Sequence, residues 1–106
     1  MIEIQNPKQY DLKKRTYEFA KKVRKFVKKL PRTISNIEDG KQVIRSSGSI
    51  GANYIEANEA LSKKEAKETI YWLKLVNTNI EDERKILITE GTELMKIFGS
   101  ILEKCK

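Results

Sequence analysis

The chain of 106 residues contains no histidine and a single cysteine, Cys105. Without histidine there is no Ser-His-Asp or Cys-His nucleophile system, no imidazole acid or base, and no histidine-ligated metal. One cysteine cannot close an intramolecular disulfide, which points to a reducing, cytoplasmic setting. No apolar run approaches the ~20 residues of a membrane span. The opening Met1-Ile2-Glu3-Ile4-Gln5 lacks the basic and apolar regions of a signal peptide. No strand-like alternation extends beyond a few residues, and there is no internal repeat. These absences predict a soluble all-α protein that is not an enzyme and needs no cofactor and no metal.

What the chain has in excess is positive charge. Lysine and arginine number 22 against 15 acids, a net charge of +7. Ten of the bases lie between Leu12 and Arg32, with Glu18 the one acid among them. That segment carries +9 and the remainder −2. An asymmetry of this kind speaks to partners rather than to fold.

Apolar spacings of three, four and seven predict four helices, over about 7–30, 37–60, 63–80 and 83–104. In the first, Leu12, Thr16, Phe19, Val23, Phe26 and Leu30 form one stripe, joined by Ala20 and Val27. Asn6 before Pro7 reads as its N-cap, and Pro31 stops it. At 100° per residue, Lys14, Lys21, Lys25 and Lys28 fall opposite the stripe, with Lys13 and Arg24 on a flank. In the second, Ser35 and Glu38 read as a capping box, and the inward stripe is Ile37, Ile44, Gly48, Gly51 and Ile55. Its centre, Ser46-Ser47-Gly48-Ser49-Ile50-Gly51, has poor helix propensity. A helix held there by tertiary contacts, with small residues admitting a neighbour, is favoured over a loop. The third helix opens on a second capping box, Ser62 with Glu65. Its stripe is Ala66, Ile70, Leu73, Val76 and Ile80, but Tyr71, Trp72 and Leu75 make it apolar nearly all round, which predicts burial on a second face. The fourth has Leu87, Gly91, Leu94, Phe98, Ile101 and Cys105. Short connections between such helices predict one domain, an antiparallel up-down four-helix bundle. A merged second and third helix is the alternative.

Several pieces of the sequence resemble a known family. They are Tyr10-Asp11-Leu12, Phe19-Ala20, Leu30-Pro31, the run from Arg45 through Ala57 (RSSGSIGANYIEA), Ser62-Lys63-Lys64, Tyr71-Trp72-Leu73-Lys74-Leu75, and Glu93-Leu94 through Ile101. The chain resembles the bacterial four-helix-bundle proteins encoded by intervening sequences of large-subunit rRNA genes. That family is similar to the accessory variability protein of diversity-generating retroelements. The resemblance implies a homopentamer with no established enzymatic activity and, for the retroelement relatives, binding to nucleic acid and to a reverse transcriptase. Family members carry about three more helical turns between the Ser-Lys-Lys and the Tyr-Trp-Leu, so it also implies a shortened third helix.

Two surfaces are therefore candidates. Lys13, Lys14, Lys21, Arg24, Lys25 and Lys28 on the first helix would neutralise RNA or DNA phosphates without base readout. The competing reading is a solvated face on an oligomeric scaffold for a protein partner. Tyr10 and Tyr17, near the basic face, could stack on bases, or else wrap a bundle edge. Tyr71, Trp72 and Leu75 are the candidate oligomer interface. Arg45 is expected to be buried and paired with Glu56 or Glu59, Asn53 and Asn58 to bond within the bundle, and Glu65 and Glu68 to serve capping and helix-dipole roles. Cys105 is expected to be a packed or frayed free thiol.

Overall fold

The computed structural model describes residues 11–104. Four helices follow one another: α1 (Leu12–Lys28), α2 (Ile34–Ile55), α3 (Glu59–Leu75) and α4 (Glu81–Lys104). There is no strand among the described residues. Each helix packs on its neighbours in sequence, and α1 returns to pack on α4, closing a four-helix bundle. Asn6, Pro7, Tyr10 and Cys105 lie outside the described residues.

The α1 stripe is as its spacing dictates. Leu12, Phe19, Val23 and Phe26 are at most 1% exposed, and Thr16 buries its hydroxyl by donating to the Leu12 carbonyl at 2.7 Å. The helix ends at Lys28, two residues short of Leu30, because Pro31 disfavours helix just before it. Leu87, Gly91, Leu94 and Phe98 of α4 supply the facing layer. A Cβ on Gly91 would lie 3.3 Å from Ile70 Cγ1 and 3.5 Å from Phe19 Cζ, so glycine lets three helices converge there.

The helix starts differ from the expected capping boxes. Thr33, not Ser35, caps α2: its side chain accepts from the Asn36 N–H at 3.1 Å. Asn58, not Ser62, caps α3, accepting from Leu61 N at 3.3 Å. Ser62 instead lies one turn inside α3, fully buried, donating to the Ile50 carbonyl at 2.8 Å. Helices α2 and α3 do not merge. Between them Ala57 takes φ 58°, the left-handed conformation that ends a helix. At its far end α3 stops at Leu75 rather than at Ile80. Arg84 takes up the freed carbonyls of Leu73, Lys74 and Val76 at 3.0, 3.2 and 2.6 Å.

Helix α2 runs unbroken through Ser46–Gly51, held by tertiary contacts. Ser46 and Ser47 are fully buried, and Ser46 Oγ lies 2.8 Å from Thr69 Oγ1 of α3. Small polar side chains that satisfy their hydroxyls locally let α2 and α3 approach closely. The expected inward stripe of α2 is corrected by one residue. The buried set is Asn36, Gly40, Val43, Ser46, Ser47 and Ile50, whereas Ile37 is 40% and Ile55 64% exposed. One residue is a rotation of 100°. It moves Ile37, Ile44, Gly48, Gly51 and Ile55 from the core to the outer flank facing α1. There a Cβ on Gly51 would meet Thr16 Oγ1 at 2.7 Å, so only glycine permits the α1–α2 spacing.

Candidate nucleic-acid interface

The basic residues of α1 separate into two groups according to what the bundle places beside them. On the flank toward α4, Arg15 is absorbed into the fold. Its Nε donates to Glu90 Oε2 at 2.6 Å, and its Nη2 donates to Glu90 Oε1 at 2.8 Å and Glu93 Oε1 at 2.6 Å. The Arg15 side chain is 14% exposed, and the hydrogen bond to Glu90 holds its guanidinium above its ordinary pKa. Its Nη1 is buried without a partner. Near the other end of α1, Lys29 pairs with Glu83 at 2.9 Å.

The opposite face of α1 has no such acids. Lys13, Lys14, Lys25 and Lys28 are exposed and make no ion pair among the described residues; Lys22, also exposed, lies on the α4 flank. Lys21 reaches Glu18 only at 3.9 Å and sits over the Tyr17 ring, 5.1 Å from its centroid. Arg24 Nη1 donates to the Ala20 carbonyl of its own helix at 3.2 Å. All six candidate cations thus lie on one side of α1, spread over ~22 Å from Lys13 to Lys28. The reason is local: Glu18 is the one acid in the segment, and α2 offers none to this flank.

Two grooves border the ridge. The one between α1 and α4, about 660 Å³, is mixed in charge, with Lys14, Lys22 and Lys85 alongside Glu18 and Glu90. The one between α1 and α2, about 460 Å³, is lined by Lys13, Lys21 and Arg24 and by no acid. Sequence reasoning missed this second groove because it assigned Gly48, Gly51 and Ile55 to the core. Tyr17, at 62% exposure, stands on its rim.

The second candidate surface divides. Tyr71 and Leu75 are exposed, at 57% and 47%, while Trp72 is half-buried and packs against the core. The two rings meet edge to face at 5.1 Å, and Trp72 Nε1 is buried without an acceptor. Trp72 is thus shared between the bundle core and the surface beside Tyr71. Arg45 is corrected. It is not buried and does not pair with Glu56 or Glu59; its side chain is 47% exposed and bridges to Glu65 and Glu68 of α3 at 3.3 and 2.7 Å. The Glu68 hydrogen bond raises the Arg45 pKa. Glu65 and Glu68 thus serve this bridge rather than the start of α3. The described residues hold no cluster of acids and cysteine suited to a metal ion. Among the described residues, no helix is long and apolar enough to cross a membrane.

Comparison of the chain with protein-family models, curated proteins and solved structures yields no match.

Proposed function

We propose that this chain is a non-enzymatic nucleic-acid-binding accessory protein that grips phosphates with the exposed face of α1. The observation that carries the proposal is the split within α1 itself. Arg15 and Lys29 are matched by α4 carboxylates, whereas Lys13, Lys25 and Lys28 are exposed and make no ion pair among the described residues. Lysines along a helix neutralise phosphates and release counterions, giving affinity without base readout. The test is binding of a structured RNA and a DNA duplex across a salt series. Four phosphate contacts predict a loss of about 10²-fold between 50 and 200 mM salt. Reversal of Lys14, Lys21, Lys25 and Lys28 to glutamate should abolish binding while helicity and mass stay unchanged. Absence of wild-type binding at low salt sinks the proposal.

A second reading is favoured by one observation, the exposure of Tyr71 and Leu75 on α3. It is an oligomeric scaffold for a protein partner, with the α1 charge serving solubility. Under it, Tyr71→Ser with Leu75→Ser changes the mass in solution, and the lysine reversal changes no interaction. The resemblance centred on residues 45–57 is what supports a homopentamer, a shortened third helix and a reverse-transcriptase partner.

A further inference from the structure

We infer that the outer groove between α1 and α2 seats an unstacked base of a single-stranded nucleic acid, with Tyr17 and Arg24 as its stacking surfaces and Lys13 and Lys21 on the flanking phosphates. The inference rests on the nucleic-acid reading above and gives it a strand preference.

The groove differs from the lysine ridge in having apolar walls. Its floor is small, Ala20 from α1 with Gly48 and Gly51 from α2, and Ile55 forms a wall at 64% exposure. A duplex presents phosphates and sugars to such a ridge and leaves these walls facing water. A single strand can turn a base into them, where aromatic rings and arginine planes serve as stacking surfaces. Tyr17 and Arg24 are seven residues apart on one flank of α1, two turns or ~10 Å, which leaves room for a base between them. Arg24 is already steadied by its bond to the Ala20 carbonyl; the Lys21 ammonium lies over the Tyr17 ring, 5.1 Å from its centroid, so a base stacking on that face displaces it toward the adjoining phosphate.

The shape of the groove favours a base over a docked peptide helix. A helix needs one continuous trough. Here the Arg24 guanidinium crosses toward α2, with Nη2 3.6 Å from where a Cβ on Gly48 would stand. Beyond it the groove narrows to a separate cavity of about 180 Å³ beside Gly40 and Ile44. Lys28, Arg32 and Lys41 line the smaller cavity, Lys41 paired with Glu38 at 3.4 Å, and neither cavity has an acid in its lining.

The test compares three labelled probes by fluorescence anisotropy at moderate salt: a short oligothymidylate, an abasic strand with the same number of phosphates, and a duplex of the same length. The oligothymidylate should bind about tenfold tighter than the abasic strand, the scale of stacking one base. Tyr17→Ala should erase that difference and leave the abasic affinity unchanged. Arg24→Lys, which keeps the charge and removes the plane, should narrow it. Ile55→Asp, at an exposed position, should also narrow it without loss of helicity. Equal affinity for base-bearing and abasic strands would overturn the inference and leave the phosphate-binding reading standing. No binding of any probe at low salt would overturn both. A change in mass with Ile55→Asp, and none in the base preference, would show the groove to be a protein contact and overturn the inference.

Discussion

The two flanks of α1 carry the same kinds of side chain and end in opposite electrostatic situations. Toward α4, Arg15 is pinned by Glu90 and Glu93, and Lys29 by Glu83. Toward α2 and solvent, Lys13, Lys25 and Lys28 have no acid beside them, and Arg24 spends a donor on its own helix. The difference lies in the neighbours. Helix α4 spaces Glu83, Glu90 and Glu93 along the side that meets α1, whereas α2 meets α1 with glycines and isoleucines. A basic helix therefore has one flank whose cations are paired with carboxylates and one whose cations are exposed without such pairs.

Substitutions can break this contrast or sharpen it. The largest effect is expected at Gly51, where α2 makes its close approach. Gly51→Val would drive a Cβ into Thr16 Oγ1 and should lower unfolding stability by about 3 kcal/mol, read by urea melts. Next comes the paired flank. Arg15→Ala leaves Glu90 and Glu93 facing each other at a partly buried site and should cost about 2 kcal/mol, with nucleic-acid affinity little changed. Lys29→Ala breaks a pair whose lysine is 56% exposed, and should cost no more than about 0.5 kcal/mol. On the open flank, Lys25→Ala or Lys28→Ala should leave stability within about 0.5 kcal/mol and flatten the salt dependence of binding by about one phosphate. A loss of stability there, or a loss of binding with Arg15→Ala, would erase the distinction between the flanks.

The smallest effect is a titration away from both flanks. The hydrogen bond from Arg84 lowers the Glu81 pKa. A carboxyl whose folded pKa is depressed adds stability above its unfolded value and loses it as pH falls through the folded one. Carboxyl NMR of Glu81 should show a midpoint below the ordinary value of 4.5, and Arg84→Ala should bring it back.

Much of the core was legible from spacing. In α1 and α4 the apolar residues recur at helical intervals and large side chains leave little ambiguity; Leu12, Phe19, Leu94 and Phe98 are buried as read. The basic face was legible for the same reason, since six cations fall on one side of a helix whose other side is fixed. Helix α2 misled because its true inner face is polar and small. Asn36, Ser46 and Ser47 are buried, while Ile37 and Ile55 look like core and are not. Asn36 is buried because it bridges two connections, donating to the Pro31 and Asn77 carbonyls and accepting from Asn77 N, each at 2.9 Å. No periodicity in α2 alone announces such partners.

The sequence by itself determined that the chain is helical, that its positive charge sits on one segment, and that imidazole chemistry is absent. Those properties follow from residue type and local spacing. Only the tertiary structure decided which face of α2 is inside, which α1 cations are matched, and that an acid-free groove opens between the two helices. Each of these depends on what a second helix brings to within a few ångströms, and local propensity carries no term for that.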